Sequence, residues 1–585
     1  MKKLYLIASF CVAMLSNAQT PGTLDTNFGT NGQVSTFTAQ NYYPWSIGYQ
    51  PYSGKIYTAG QADFNGSTYA VIGKYDFYGN LDTSFANNGY SMFILPGNTY
   101  QTAKEIKVFE NDYFVLGTYK LPNNSNTYSA ISKFDNSGNI ITSFGNNGII
   151  NISTSSHIEI INDNIFAGNK VISKFNATTG IQQIYNQEMN TVNPNYRFYD
   201  IEVLDDGSQL FAGSITIDSK TYNYIEKHKT DGTFDTSFAN GGKYIGDENS
   251  NPNGVWELKT QKYGANAGKI ILLVTNTPVS TTTPILKRLN ANGTPDTTFG
   301  INGNFIYPFI SGSWVDRVLV KNGDEILLCG SNSNSNGTSD TYLMGVSSNG
   351  DVQYLTSNNN SSYSENWSMT TIPNSFVLTF GNTTDNTFTN FTNKIQRFYI
   401  EPPVISLIGD AYANGNWAND LVMSTTDNTT YTLSNVYLNA TNNYLINGVK
   451  FRLDSNWFTN WGSDASGSFP IGTSINGNRN IAIPTSDYYD ISFNIKTGVY
   501  NFTKHLATSE ISKTEMVMFP NPAKEVLNFS EEVSDISITD FSGKMVKQLS
   551  SPTKSVNINN LAKGNYIITV TTKDGKRIYK KFIKE

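Results

Sequence analysis

Residues 22–32 read GTLDTNFGTNG, and this stretch decides the fold because the chain repeats it. Close copies stand at 79–89 (GNLDTSFANNG) and at 232–242 (GTFDTSFANGG). Clear and worn copies together begin at Gly22, Gly79, Gly138, near Gly180, and at Gly232, Gly293 and Gly350. A period of about 50–60 residues, with room for about four short strands, is typical of a β-propeller blade.

Two strand patterns accompany the motif and occur seven times between residues 40 and 400. One ends near glycine, as in KIYTAG at 55–60, and the other carries a basic residue, as in VIGKYD at 71–76. The first motif has no strand before it, and the last basic strand, KIQRFY at 394–399, has no motif after it. We therefore predict an all-β fold with a seven-bladed propeller over 20–401, closed by pairing of the N-terminal strand with 394–399.

The aspartates of the motif support two interpretations. Asp25, Asp82, Asp235 and Asp296 could form a ring of metal or sugar ligands, or each could cap its own turn by accepting hydrogen bonds from nearby backbone N–H groups. The copy at 138 has Ile141 instead of aspartate and keeps its phenylalanine, which favours the cap. The motif resembles the delta-60 repeat of bacterial surface proteins over about residues 21–400.

Four tryptophans precede residue 400, and each comes shortly before the glycine-ended strand of its repeat. They are Trp45, Trp256, Trp314 and Trp367. Such segments are candidates for the innermost strands, whose starts line the mouth of a propeller channel. The tryptophans would then form an aromatic funnel for sugar rings. The alternative is that they pack between blades, as most large aromatic side chains do.

The N-terminal segment, the net charge and the cysteine content indicate location and partners. Lys2 and Lys3, followed by an apolar segment, predict a signal peptide over 1–19 and a secreted protein, and no later segment is long enough to span a membrane. The formal net charge of −6, with no basic run in the propeller region, argues against nucleic-acid binding. Cys329 is the only cysteine after the signal and lies in an apolar strand pattern, which predicts a buried, inert thiol.

Residues 402–505 follow Pro402-Pro403 and show short alternating strands with three tryptophans, which predicts a small β-sandwich. Lys450 and Arg452 share one face of a strand, with Phe451 toward the core, and Trp457 and Trp461 lie among polar residues typical of a loop. The segment resembles the starch-binding modules of the SusE and SusF outer-membrane proteins in ISLIGDA with Trp417, KFRLD, NWG and DYYDISFNIKTGVYNF.

That resemblance implies an immunoglobulin-like sandwich that holds a polysaccharide, in the family an α-glucan, without cleaving it. The residues that it assigns to sugar binding are Trp417, Lys450, Arg452, Trp457 and Trp461. The alternative for any one tryptophan is a place in the core.

Residues 506–514 have the composition of a linker, and 515–585 resemble the type A sorting domain of the type IX secretion system. The resemblance rests on PNP at 520–522, DFSGK at 540–544 and the terminal KKFIKE. It implies a second immunoglobulin-like sandwich, an export machinery as partner, a cell-surface or extracellular location and a source among the Bacteroidota.

No catalytic motif is visible, since His157, His228 and His505 lie far apart in sequence and outside any triad or metal pattern. No cofactor is predicted; the Asn-rich segments at 331–340 and 425–430 could hold calcium but lack regular ligand spacing. Three functions remain open: a non-catalytic polysaccharide-binding surface protein, an adhesin with a protein partner, and a glycoside hydrolase or lyase with its site in the propeller.

Overall fold

The computed structural model describes residues 20–505 and 516–585, apart from short gaps. These gaps are 38–41, 97–99, 153–154, 156, 169–171, 186–194, 249–253, 275–284, 307–312, 322, 335–336, 359–362, 374, 385–390, 413–416, 442–444, 456, 458, 465–466 and 477–478. The predicted signal peptide lies outside the described residues. The chain divides into one compact unit up to His505 and a second from Leu506 to Glu585.

The repeat region folds into antiparallel strands. In chain order they are β1 (Gln33–Ser35), β2 (Tyr43–Gln50), β3 (Lys55–Phe64), β4 (Ser67–Tyr75), β5 (Tyr90–Phe93), β6 (Tyr100–Phe109), β7 (Asp112–Lys120), β8 (Thr127–Phe134), β9 (Ile149–Ile152), β10 (His157–Ile161), β11 (Asn164–Gly168), β12 (Ile172–Asn176), β13 (Gln182–Gln183), β14 (Tyr196–Val203), β15 (Gln209–Ile217), β16 (Lys220–His228), β17 (Lys243–Glu248), β18 (Glu257–Thr260), β19 (Ile270–Leu273), β20 (Leu286–Leu289), β21 (Asn304–Phe305), β22 (Trp314–Val320), β23 (Ile326–Ser333), β24 (Ser339–Val346), β25 (Val352–Asn358), β26 (Tyr363–Ile372), β27 (Phe376–Thr384) and β28 (Phe391–Tyr399). Two short 3-10 helices stand at Pro51–Ser53 and Gly264–Asn266.

In the described residues these strands form seven four-stranded groups, here called blades 1 to 7, and one parallel bridge between Ser339 and Tyr363 joins blades 6 and 7. Blade 1 is β2–β5, blade 2 is β6–β9, and so on to blade 6, β22–β25; blade 7 is β26–β28 with β1. The first strands of successive blades contact one another, and β26 of blade 7 contacts β2 of blade 1. The blades therefore form a closed ring with these first strands innermost, which is the predicted propeller.

The ring closes as the sequence predicts. Strand β1 pairs antiparallel with β28, Gln33 facing Gln396 and Ser35 facing Lys394. A further bridge joins Leu24 to Phe398. The edge of β28 is thus covered by a segment from the other end of the repeat region.

A cation from the third strand of a blade pairs with a motif aspartate, which follows it in the chain except at the ring closure, where Arg397 pairs with Asp25. The pairs are Arg397–Asp25, Lys74–Asp82, Lys227–Asp235 and Arg288–Asp296, with nitrogen–oxygen distances of 2.6, 3.6, 3.0 and 2.7 Å. Asp25, Asp235 and Asp296 each accept a hydrogen bond from the backbone N–H two positions on, the cap that the sequence predicts, whereas Asp82 accepts from the Ser84 hydroxyl. Where Ile141 replaces the aspartate, Lys133 pairs with Asp112 at 3.0 Å instead.

The motif phenylalanine packs under the same cation. The Arg397 and Arg288 guanidinium carbons lie 4.7 Å from the ring centroids of Phe28 and Phe299, and the Lys74 ammonium lies 5.4 Å from that of Phe85. All three rings are buried. The motif is therefore a structural clamp, in which the ion pair is held against an apolar wedge.

Residues after Tyr399 form two further sheets. Their strands are β29 (Ile405–Gly409), β30 (Leu421–Val422), β31 (Ser424–Thr425), β32 (Thr430–Leu438), β33 (Val449–Leu453), β34 (Asn460–Gly462), β35 (Ile471–Thr473), β36 (Ile475–Asn476), β37 (Asp487–Asn494) and β38 (Val499–Lys504). One sheet has the order β30-β29-β33-β34-β36 and the other β31-β32-β37-β38-β35. Phe451 of the first stacks on Phe493 of the second, with ring centroids 4.4 Å apart, so the sheets pack as a sandwich.

The sandwich shares one apolar core with blades 1 and 7. Trp461 packs against Phe77 of the propeller, with ring centroids 5.6 Å apart. The Tyr49 hydroxyl lies 2.6 Å from that of Thr459, and Ser375 donates to Asp454 at 2.7 Å. These contacts attach the sandwich firmly to the propeller.

The second unit is a separate β-structure with its own apolar core. Its strands are β39 (Met518–Phe519), β40 (Val526–Asp540), β41 (Met545–Leu549), β42 (Thr553–Asn557), β43 (Gly564–Thr572) and β44 (Arg577–Lys584). Strand β40 pairs with β39, β41, β42 and β43, and β43 pairs with β44. The immunoglobulin-like topology of both C-terminal units stays a prediction.

Candidate functional sites

Side chains on the innermost strands tie neighbouring blades together. At one matching register position, five blades carry an oxygen that accepts a hydrogen bond from a backbone N–H of the next blade. The acceptors are Ser46, Glu105, Asp200, Glu257 and Ser368, and the distances run from 2.8 to 3.3 Å. Ile158 and Arg317 occupy this position in blades 3 and 6 and provide no acceptor. The junctions between blades 3 and 4 and between blades 6 and 7 thus lack this hydrogen bond.

The same strands bring a set of charged groups together inside the ring. His157 Nδ1 lies 2.8 Å from Glu105, and its Nε2 lies 3.2 Å from Asp200. Lys107 pairs with Glu159 at 3.0 Å, and Lys259 pairs with Asp200 at 3.1 Å. These residues come from four different blades, so only the closed ring assembles them.

This environment changes the titration of His157. Burial opposes its protonation, but the carboxylates of Glu105 and Asp200 outweigh burial and raise the pKa from 6.5 to about 9. The pKa of Glu159 is lowered to about 2, because Lys107 and His157 outweigh the opposing effect of burial. The imidazolium is thus a structural cation at neutral pH.

We expect this cation to make the stability of the propeller depend on pH. Because the pKa of His157 is higher in the folded than in the unfolded chain, its protonation stabilises the fold. This contribution is complete below pH 6.5 and is lost as the pH rises through about 9. The free energy of unfolding should fall by about 3 kcal/mol over this range. The fall should appear as a lower melting temperature at pH 10 than at pH 6. His157→Gln should remove this dependence, while His505→Gln, at a half-buried position of the sandwich, should keep it. An unchanged pH profile in His157→Gln would contradict the assignment.

The four propeller tryptophans lie where the sequence places them. Trp45, Trp314 and Trp367 are on innermost strands, and Trp256 directly precedes β18. Trp45 and Trp367 contact edge to face with ring centroids 5.3 Å apart, and Trp256 stacks on Tyr199 at 5.4 Å. Their role as a sugar funnel stays a prediction.

Local irregularity of the innermost strands presents some of these side chains. The register shifts beside Trp45 and Trp367, and equivalent shifts in other blades leave Lys104, Tyr199 and Asp316 as the extra residue. Such β-bulges re-aim side chains and are frequent next to functional sites.

Two of the predicted sugar-binding tryptophans meet on the surface of the sandwich. The Trp417 and Trp457 rings lie 5.8 Å apart and are inclined by 43°. Trp457 is 41% exposed. The Arg452 guanidinium carbon lies 4.8 Å from the Trp457 ring centroid. We call Trp417, Asp420, Arg452 and Trp457 the Trp457 patch.

The basic residues of the prediction have a different role from the one expected. Lys450 and Arg452 are only 8% and 6% exposed, and neither is an open donor for a ligand. Both Arg452 Nε and Nη2 donate to Asp420 at 2.6 Å. Lys450 donates to Asn460 at 3.0 Å, and Asn460 donates to the Trp457 carbonyl at 2.7 Å. Arg452 thus contacts the Trp457 ring directly, and Lys450 holds the Trp457 backbone indirectly through Asn460.

Asp420 was not singled out from the sequence, although it lies in the same NWAND segment as Trp417. Burial opposes its ionisation, but hydrogen bonds from Arg452 outweigh burial and lower the pKa of the carboxyl. The ion pair therefore persists over the neutral range and fixes the plane of Arg452 against the indole.

Trp461 is not a sugar platform. It is 1% exposed and packs on Phe493 at 5.2 Å and on Phe77 of the propeller. Its strand, β34, pairs with β33 so that Trp461 faces the core residue Phe451 in register. The polar neighbours that suggested a loop belong instead to a short strand and its ends.

Cys329 is buried and free, and burial raises the pKa of its thiol, as expected for an inert core cysteine. Within the described parts of the chain, no three His, Cys, Asp or Glu side chains converge in a group suited to a metal. A separate survey of those parts finds no helix long and apolar enough to cross a membrane.

Structural comparison gives remote similarity to solved proteins. A protein of unknown function from Dyadobacter fermentans aligns at 9% identity and a TM-score of 0.36, covering 63% of this chain and 98% of its own. Sqt1 of Chaetomium thermophilum aligns at 7% identity and a TM-score of 0.32, covering 63% of this chain and 98% of its own. A third similar structure is the β-propeller domain of the Trilobed protease from Pyrococcus furiosus, described as having an open velcro topology. It aligns at 8% identity and a TM-score of 0.31, covering 61% of this chain and 98% of its own. The propeller assignment itself rests on the strand pairing above.

Sequence comparison identifies the C-terminal unit. A search of curated protein sequences found no match. Residues 517–585 match the model of the secretion system C-terminal sorting domain. The match agrees with the resemblance noted in PNP, DFSGK and KKFIKE. The chain therefore ends in a type IX secretion C-terminal sorting domain, and the protein is secreted or displayed at the cell surface.

Proposed function

We propose that this secreted protein binds polysaccharide without cleaving it, through the Trp457 patch of the sandwich. The observation that carries the proposal is the pair of neighbouring indoles, Trp417 and Trp457, on the surface. The apolar face of a pyranose ring can stack on an exposed indole. The resemblance to SusE and SusF modules makes α-glucan the first class to test.

The support beneath the patch favours a binding surface over an incidental exposed side chain. The Arg452 cation lies over the Trp457 ring, and Asn460, itself held by a hydrogen bond from Lys450, donates to the Trp457 carbonyl. Such pre-arrangement lowers the entropy that an aromatic side chain loses when a ligand binds. The propeller, to which the sandwich is attached, serves as the scaffold.

Trp457→Ala should weaken glucan binding about tenfold or more, since an aromatic anchor in a small site carries much of the binding energy. Affinity electrophoresis of the mature chain in amylopectin, pullulan and a β-glucan measures this. Tyr263→Ala is the control, because Tyr263 is an exposed aromatic residue (52%) of the propeller and belongs to none of the predicted sugar sites. No retardation in any glucan, or equal loss in both variants, would contradict binding through the patch.

One observation favours a second function, a glycoside hydrolase or lyase in the propeller. Burial, together with the charge of Glu365, raises the pKa of Asp316 to about 7. A carboxyl group protonated near neutral pH can act as a general acid, with a second carboxylate beside it. Release of reducing sugar by the mature chain, lost in Asp316→Asn, would establish this function in place of the first.

A further inference from the structure

A cavity of about 160 Å³ lies between blades 6 and 7, beside the closure of the ring. Its walls include Thr341 of blade 6 and residues of all four strands of blade 7 or their flanks. This is the junction at which Arg317 replaces the acceptor that ties most other blades together. The two blades are instead joined by Ser339 and Ser364, which exchange hydrogen bonds of 3.0 and 3.1 Å.

The lining of this cavity is polar, unlike the apolar packing elsewhere between these two blades. We call it the seam cavity and define it by Gln33, Glu365, Asn366, Asn382, Lys394 and Gln396. Gln33 and Gln396 face each other across the closing strand pair. At Gly381, a Cβ would lie 1.9 Å from the Glu365 carbonyl oxygen, so no side chain can fill this wall.

Asn366 gives the strongest sign that the cavity takes a ligand. It is 2% exposed, and among the described residues its Nδ2 has no hydrogen-bond partner. A buried amide without a partner costs free energy, and natural proteins keep few of them. Here the amide belongs to a side chain that lines a space large enough for several water molecules.

The charges of the lining select a neutral partner. One carboxylate, Glu365, and one ammonium, Lys394, contribute to the walls, and no ion pair between them is found in the described structure. Burial lowers the pKa of Lys394 and raises that of Glu365, although Glu365 keeps an exposed side chain. For a singly charged ion, attraction to one of these groups is offset by repulsion from the other, so neither an anion nor a cation gains much net attraction. Hydroxyl groups can donate to the carboxylate and accept from the ammonium and the amides.

We propose that the seam cavity binds a neutral polyhydroxylated ligand the size of one sugar ring. Asn366 and the facing glutamines would donate to its hydroxyls, and Glu365 would accept from them. The proposal does not depend on the Trp457 patch, which lies on the sandwich. It makes the closure of the propeller itself part of a binding site.

The test uses the mature chain with Trp417→Ala and Trp457→Ala, so that the patch cannot contribute. Calorimetric titration and saturation-transfer NMR with glucose, galactose, mannose and myo-inositol should reveal saturable binding of at least one of them. Asn366→Leu should weaken it about tenfold or more without lowering the melting temperature, because no intramolecular hydrogen bond is lost. Gln396→Ala is a second variant, at another buried position of the lining.

Asn393→Leu is the matched control. Asn393 is also 2% exposed and its Oδ1 also lacks a partner among the described residues, but it is not part of the cavity lining. It should keep full affinity. The proposal is overturned if none of the four ligands binds, if Asn366→Leu and Gln396→Ala bind as well as the parent, or if glycine, a zwitterion, binds in place of the sugars.

Discussion

Asp25→Ala should destabilise the propeller more than any other substitution in the repeated motif. Asp25 and Arg397 are 1% and 2% exposed, and they join two segments 372 residues apart in the chain. Asp25 accepts from Arg397, from the Tyr399 hydroxyl at 2.6 Å and from the Asn27 N–H at 3.0 Å. The substitution leaves a buried guanidinium without its counter-charge, which costs about 3–5 kcal/mol.

Calorimetry of the mature chain should show a fall in melting temperature of at least about 5 °C. Thermolysin digestion should also release residues near the N-terminus, because Leu24, Phe28 and Val34 become accessible once β1 separates from β28. This second measurement distinguishes opening of the ring from general destabilisation.

The equivalent aspartates of other blades are the controls. Asp296→Ala breaks a similarly buried pair with Arg288 and should lower the melting temperature without N-terminal cleavage. Asp82→Ala should cost only about 1 kcal/mol, since the side chains of Asp82 and Lys74 are 15% and 11% exposed and solvent replaces part of the interaction. Equal effects at all three positions would show that burial of the closing pair is not what secures the ring.

The ring and its closure were predictable because they follow from local repetition. Motif, glycine-ended strand and basic strand recur in order, and the unmatched elements at each end identify the closing pair. Only part of the role of the aspartates could be predicted. The hydrogen bonds that cap their turns are local, but the cations with which they pair lie outside the motif. A constant offset gives the missing signal: Arg288 precedes Asp296 by eight residues, and Lys74 and Lys227 precede their aspartates equally.

The sites were less predictable because they depend on contacts between distant segments. Trp457 was identified from its polar neighbours, and it is exposed. Trp461, with similar neighbours, is buried, because strand pairing with Phe451 and docking on Phe77 decide its place. The set around His157 and Glu105 comes from separate blades. No spacing within the sequence marks it.

Trp461→Ala should cost about 3–5 kcal/mol, the usual effect of truncating a buried tryptophan, and should loosen the sandwich from the propeller. Trp457→Ala, four residues earlier and 41% exposed, should leave the melting temperature almost unchanged and is the matched control. Hydrogen exchange should show increased exposure of β33 and of blade 1 in the first variant only. A neutral Trp461→Ala variant would mean that this contact does not hold the sandwich to the propeller.

Phe77 connects this contact to the closure of the ring. Its carbonyl accepts from Arg397 Nη1 at 2.5 Å, the Arg397 guanidinium carbon lies 4.6 Å from its ring centroid, and Trp461 packs on the same ring. Asp25→Ala and Trp461→Ala should therefore not be additive: the double variant should lose less stability than the two single losses combined, by about 0.5–3 kcal/mol. Asp296→Ala with Trp461→Ala should be additive, because Phe299, beside Asp296, belongs to a different core cluster. Equal coupling energies in both double variants would exclude Phe77 as the link. Coupling found only between Asp25→Ala and Trp461→Ala would mean that docking of the sandwich also stabilises the closure of the propeller ring.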